Sequence, residues 1–457
     1  MTETRAIQVG TTTTSVQGQD AAGPDVHEPS RAARSDRVVP GRERSAVVLC
    51  AVVAAHVLDD NFVQPQPGTT AGDHLISGLI PVLLLAAAAT VHPRMRPGLR
   101  AVNAMTLGAL GVAIGIPAVY YLGNGRLEGG HYSGVLAGVA GVLLLLKGPV
   151  ILWSNRRSEG RRAQRYRRRG MSVVCAAVLA PTVLWFLVFP IGVGYVYTHT
   201  APAPVEPDLG VPYEHVVVTT DDGLELSAAY VPSRNRAAVV LYPGAGRSAE
   251  ARMLLEHGYG VMLLDPRGQG GSEGDAVRWA GDRDVLAGVA YLRRRTDVDS
   301  DRVGAFGFSV GGEMLLRAAA RSEAIRAVVS EGAGERVGET EVSGPARFLV
   351  EPSQAVMSAA TTVFSNHKPP PPIVDHIGDI APHPVLLIYA DPGIGGESTR
   401  QPLYLAAAGE PKSIWKVSGA EHTGGFDAAP LEYERRVVEF LDDALLATED
   451  SLEGNSK

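Results

Sequence analysis

RVGAFGFSVGGEMLLRAAA, residues 302–320, decides how the rest of the chain is read. Its first half is a short apolar run of strand character, and its second half has the composition of a helix start. GFSVG (307–311) sits at the junction. Gly-x-Ser-x-Gly between a strand and a helix puts the serine on a sharp turn, where small neighbours let the two elements approach closely. This predicts that the Ser309 hydroxyl projects into a cleft. It also predicts that the Val310 N–H, at the helix N-terminus, points at a developing oxyanion.

Working outward, HVVVTTDDGLELSAAYVP (215–232) reads as two strands around an Asp222-Gly223 turn. Further β-rich runs are AAVVLYPG (237–244), YGVMLLDPRG (259–268), IRAVVSEGA (325–333) and PVLLIYADPG (384–393), with SIWKV (413–417) after them. Helical stretches fall between them at roughly 248–257, 280–295, 311–322 and 431–446. In the second of these, Val285, Val289 and Leu292 recur at helical spacing, with Asp282, Arg283 and Arg293 on the outer face. Apolar strands alternating with helices indicate a mostly parallel sheet covered on both faces.

A serine nucleophile needs a base, and the base an orienting acid. VSGAEHTGGF (417–426) offers His422 in a Gly-rich loop before the last helix, ahead of His367, His376 and His383 in or beside a Pro-rich excursion. The acid is expected after PVLLIYA. Asp391, at the strand end, is the first choice, with Glu397 the alternative and Glu331 behind both. TyrProGlyAlaGly (242–246) supplies a second oxyanion donor at Ala245, with Gly244 next. No metal-ligand spacing surrounds Cys50, Cys175 or the histidines, and the expected chemistry calls for no metal or organic cofactor.

Together, TyrProGlyAlaGly (242–246), AspProArgGlyGlnGlyGlySerGluGly (265–274), GlyPheSerValGly (307–311) and GlyAlaGluHisThrGly (419–424) resemble the α/β-hydrolase superfamily. The serine aminopeptidase and dienelactone-hydrolase-like branch is the nearest likeness. The resemblance covers about 213–446. It implies an α/β-hydrolase fold and a serine hydrolase working on ester-like or amide bonds. Two departures stand out: Pro243 replaces the histidine that often precedes the oxyanion glycine, and the acid loop lacks the usual Gly-x-x-Asp form. Residues 334–382 interrupt the alternation where this fold often carries a lid over the serine, or else form a surface excursion. FSNHKPPPPIVDHIGD (364–379) is too Pro-rich for a continuous helix.

The first half has a different character. Residues 1–200 carry a net charge of +8 and residues 201–457 one of −15, within 457 residues and −7 overall. This balance gives no reason to expect nucleic acid as a partner. Five apolar runs, roughly 45–64, 75–92, 101–123, 132–154 and 171–198, approach the ~20 residues that cross a bilayer core of about 30 Å. Sixteen arginines lie at 31–44 just before the first run, at 94–100 between the second and third, and at 156–169 between the fourth and fifth, against Arg126 alone in the other loops. That alternation predicts a cytoplasmic N-terminus, five crossings, and a hydrolase domain outside, with the bilayer and a small or lipid-like ester as partners.

Asp59 and Asp60 either mark an ion path or cap a helix at the outer surface, and Lys147 lies close enough to the other end to snorkel. The expected organisation is a disordered tail (1–44), a membrane domain (45–198), a Pro-rich linker (199–212), a hydrolase domain (213–447) and a short disordered tail (448–457).

Overall fold

The computed structural model describes residues 40–65, 69–123, 129–154, 170–171, 174, 177–200, 204–276, 279–334, 344–391, 393 and 396–447. The tails read from the sequence as disordered, 1–44 (apart from residues 40–44) and 448–457, lie outside the described residues.

The apolar runs form helices. These are α1 (Pro40–Leu58), α2 (Leu75–Val91), α3 (Pro97–Gly123), α4 (Gly129–Ser154) and α5 (Phe189–His199). π-helical turns extend α1 over Asp59–Val63 and precede α5 over Leu184–Val188. Among the described residues, five helices are long and apolar enough to cross a membrane: Arg44–Val63, Leu75–Arg94, Pro97–Gly123, His131–Ser154 and Ala177–His199. α1 begins five residues ahead of the expected start, at Pro40, a residue well suited to a first helical turn.

α3 and α4 approach backbone to backbone. A Cβ on Gly115 would lie 2.7 Å from Gly138 Cα, and one on Gly141 would lie 2.5 Å from Val112 N. Only residues this small allow two helix backbones to come so close.

Polar groups tie the bundle at both ends. Ser133 Oγ donates to Asp59 at 2.5 Å and meets His56 Nδ1 at 2.9 Å, while Asp60 lies 3.3 Å from His199 Nε2. The acidic pair therefore bridges α1 to α4 and α5 rather than only capping a helix. Lys147 Nζ donates to Ser45 Oγ at 2.6 Å.

The C-terminal half contains β1 (Glu214–Thr219), β2 (Glu225–Val231), β3 (Ala238–Tyr242), β4 (Gly260–Leu264), β5 (Val303–Phe308), β6 (Ala327–Glu331), β7 (Val385–Asp391) and β8 (Lys412–Ser418). Their order is β1-β2-β4-β3-β5-β6-β7-β8 in a single sheet. β2 pairs antiparallel with both neighbours, and every pair from β4 through β8 is parallel. This is the α/β-hydrolase arrangement. The central strands β3 to β6 are buried along their whole length because helices cover both faces, which explains their unbroken apolar runs.

The helices of this half are α6 (Ser248–Glu256), α7 (Gly281–Leu292), α8 (Val310–Ala319), α9 (Arg347–Ser365), α10 (Glu397–Ala407), α11 (Gly425–Ala428) and α12 (Pro430–Leu445). Three of them, α9, α10 and the four-residue α11, fall where the sequence reading placed no helix. α9 lies within 334–382 and ends at Ser365, just before the proline run. It packs along α5 and the π turn before it.

The 265–274 loop is tied to its surroundings through Arg267. Arg267 Nε donates to Asp284 at 2.8 Å and its Nη1 to Asp222 at 2.9 Å, while Tyr242 Oη donates to the same Asp284 at 2.8 Å. The adjacent guanidinium holds the Asp222 carboxyl well below its usual range, against the opposing effect of burial.

Candidate active site

Ser309 follows β5 and opens α8 with φ 53° and ψ −124°, a conformation that costs a non-glycine residue energy and is held by its surroundings. Its N–H donates to Glu331 O at 2.8 Å. Both glycines of the motif are sterically required. A Cβ on Gly307 would stand 2.7 Å from Gly311 O, and one on Gly311 would stand 2.2 Å from Tyr242 O.

His422 comes to the serine from the loop between β8 and α11. Its Nε2 lies 2.8 Å from Ser309 Oγ, and its Nδ1 lies 2.8 Å from Glu397 Oε1. An ionised carboxylate only accepts, so Nδ1 carries the proton and Nε2 is left to accept from the serine hydroxyl. Glu397 is fully buried, whereas the imidazole is 22% exposed. A second carboxylate oxygen of Glu397 accepts the Ala390 N–H at 3.2 Å.

The acid first expected, Asp391, is not the one that meets the imidazole. It stands at the end of β7 as anticipated, but its carboxylate faces outward and pairs with Lys416 on neighbouring β8 at 2.9 Å. The chain turns back after β7 through Gly393 (φ 62°) and Gly396 (φ 75°), and Glu397 starts α10 beneath the histidine. A Cβ on Gly393 would fall 2.6 Å from Glu397 Cγ, so only glycine leaves room for the acid. Glu331 is committed elsewhere. It accepts from the Gly425 N–H at 2.9 Å and from Tyr433 Oη, and burial raises its carboxyl.

Of the two expected oxyanion donors, Val310 shares a cleft of roughly 180 Å³ with Ser309, lined also by Tyr242, Pro243, Phe308 and Met314. Ala245 lines a neighbouring cleft of about 190 Å³ that includes Pro204–Pro207 of the linker. The Gly244 N–H donates to Leu264 O at 2.8 Å, which removes it as a donor to substrate. Of the weaker histidines, His367 Nδ1 lies 2.6 Å from Ser365 O and His376 lies 3.8 Å from Asp379.

Arg247 and Gly332 carried no signal in the sequence. Arg247 donates to Thr423 Oγ1 at 2.9 Å, to Thr423 O at 3.2 Å and to Glu250 at 3.0 Å. Its guanidinium lies 3.9 Å from the centre of the Phe308 ring. One side chain therefore joins the residue after the histidine to the residue before the serine. Gly332 (φ 68°) lies under the site, where a Cβ would be 3.1 Å from His422 Cε1 and 3.3 Å from Glu397 Oε2. Neither follows a motif, because each acts through contacts between distant segments.

Comparison with known proteins adds to this geometry. The X-Pro dipeptidyl-peptidase (S15) family matches residues 201–377. The protein YfhR of Escherichia coli K12 is 27% identical over 248 residues, 51% of this chain and 81% of YfhR. Thiohydrolase aneE of Aspergillus aculeatus is 29% identical over 129 residues, 26% of this chain and 41% of that protein. Among solved structures, the Pyrococcus furiosus esterase Pf2001 superposes with a TM-score of 0.43 at 21% identity, covering 54% of this chain and 100% of the esterase. The sheet order gives the C-terminal half an α/β-hydrolase fold, preceded by helices long and apolar enough to span a membrane.

Proposed function

We propose that this protein is a membrane-anchored serine hydrolase that cleaves ester-like acyl bonds through Ser309, His422 and Glu397. The observation that carries the reading is the unbroken hydrogen-bond chain from Ser309 Oγ through both imidazole nitrogens to Glu397. In this mechanism His422 Nε2 takes the hydroxyl proton as Ser309 attacks the carbonyl carbon. The imidazolium then gives that proton to the leaving group, while buried Glu397 holds the ring and its charge. Val310 N–H, at the start of α8, stabilises the oxyanion, with Ala245 as second donor. Water, activated by the same histidine, clears the acyl-enzyme and regenerates the serine.

The loop arginines favour a cytoplasmic N-terminus and an outward-facing hydrolase domain. A reporter fused after residue 200 should be active only outside the cytoplasm. The catalytic reading is tested by a fluorophosphonate probe, which should label the wild-type chain and leave Ser309→Ala unlabelled. An unlabelled wild type would instead indicate a domain that binds ligand without turning it over.

The match to the X-Pro dipeptidyl-peptidase family favours a second reading, a peptidase acting near peptide N-termini. Parallel assays with short-chain acyl esters and aminoacyl amides separate the two.

A further inference from the structure

We infer that α9, the helix inserted between β6 and β7 of the hydrolase domain, is embedded in the bilayer beside α5, with its Phe348–Leu349 end among lipid acyl chains. This rests on the reading that the five apolar helices span a membrane.

α9 packs against candidate spans: α5, the π turn before it, and α2. Near its C-terminal end, the Phe364 ring meets Tyr195 edge-on at 5.2 Å and His199 at 6.0 Å. One turn back, Ala360 and Thr361 lie against Gly194, where a Cβ would be 3.1 Å from each. At the other end, Trp185 Nε1 donates to Leu349 O at 2.8 Å and Ser353 Oγ donates to Trp185 O at 3.0 Å. The π turn Leu184–Val188 loosens the helical ladder there, and its Trp185 carbonyl takes the Ser353 hydroxyl. Ala360 and Phe364 belong to the same buried cluster as Val53, Leu107 and Leu144 of the bundle.

These contacts fix a depth. Trp185 lies fourteen residues before His199, the end of the span, which is roughly 21 Å along a helix rising about 1.5 Å per residue. The hydrocarbon core is about 30 Å thick, so the Leu349 end of α9 lies beyond its middle. Yet Phe348 is 69% and Leu349 57% exposed, on the same side of the molecule as the exposed rings of Trp185 and Phe189. An α-helix satisfies its own backbone and tolerates such a setting. Arg347, stacked 5.0 Å from the Phe348 ring centre, begins α9 on the Ala177 side of Leu349, so its long side chain can extend toward that end of the span. Lipid is the occupant that matches an apolar surface continuous with that of a membrane span.

The test uses the full chain, with Cys50→Ser and Cys175→Ser, reconstituted in phosphatidylcholine–phosphatidylglycerol vesicles. Nitroxides are placed singly through Phe348→Cys, Leu349→Cys, Leu146→Cys and Leu431→Cys. Collisions with oxygen, which concentrates in lipid, are compared with those of a water-soluble nickel chelate. Leu146 on α4 reports the bundle, and Leu431 on α12 reports the aqueous domain.

The inference expects positions 348 and 349 to follow 146, with an oxygen-to-nickel ratio severalfold above that at 431. A nickel-accessible 348 and 349 beside a lipid-exposed 146 would overturn it and leave the membrane reading intact. A nickel-accessible 146 would remove the membrane reading and the inference with it. Protection of 348 and 349 from both agents would place protein, such as a second copy, on this face, and would also overturn it.

Discussion

Glu397 Oε1 lies 2.8 Å from His422 Nδ1, although α10, β8 and the loops around them separate the two residues in the chain and neither stands at a strand end. Six residues earlier Asp391 does stand at a strand end, and it pairs with Lys416 at the surface. The difference is one of direction. The strand leaves the Asp391 carboxylate exposed beside Lys416 of β8, whereas the glycine turn after it carries Glu397 back to the histidine.

Glu397→Gln should lower kcat by about 10³–10⁴-fold, the order seen when a triad loses its orienting acid. Asp391→Asn should retain activity and change stability by no more than about 0.5 kcal/mol, since its ion pair is solvent-exposed. Steady-state kinetics on an activated ester compares them. Equal losses in both variants would reverse the assignment.

Arg247→Ala should reduce kcat by up to about 100-fold with little change in KM, because it loosens the loop that presents His422 rather than a substrate contact. Arg247→Lys should recover only part of that loss, since a point charge cannot reproduce the forked contacts or the stacking on Phe308. A KM effect alone would show that Arg247 serves substrate binding.

Gly311→Ala should destabilise the domain by about 3 kcal/mol, because the new methyl would stand 2.2 Å from a backbone carbonyl that has no room to yield. Thermal unfolding of the Ser309→Ala and Ser309→Ala/Gly311→Ala chains measures the effect apart from activity.

Asp284→Ala should cost about 3–5 kcal/mol, read as a fall in Tm of roughly 10 °C, since it leaves buried Arg267 without its principal partner. A loss below about 1 kcal/mol would mean that Asp222 alone satisfies the guanidinium.

Asp275, in the loop before α7, has its carboxyl pushed up to about 7 by burial, reinforced by the nearby Asp60 and Asp73 charges against the opposing His199. A folded value above the unfolded one means the native state holds its proton longer. This contribution is therefore complete below pH ~4 and is lost as pH rises toward and through ~7. Stability of the wild-type chain should fall between pH 5 and 8 (roughly that window), and Asp275→Asn should flatten the slope. An unchanged slope would assign the pH dependence to other groups.

Much of the architecture was legible because it is written in local patterns. The Gly-x-Ser-x-Gly junction, the unbroken apolar strands and the helical period of 280–295 each follow from residues close together in sequence. α9 was missed because its apolar face is matched to a partner span, Trp185–His199, far away in the chain. α10 was missed because glycines before it look like a loop, and its first residue matters only once folded.

The sequence by itself determined a parallel sheet, the turn that presents Ser309, and five helices of membrane-spanning length, because steric and hydrophobic periodicities act over a few residues. It also placed His422 as the partner to expect. Only the tertiary structure decided that Glu397 rather than Asp391 meets His422, that Arg247 binds the histidine loop to the serine turn, and that α9 lies against α5. Those outcomes depend on where the chain returns after a turn and what it meets there. Hydrogen-bond direction and close packing are three-dimensional properties that neighbouring residues do not encode.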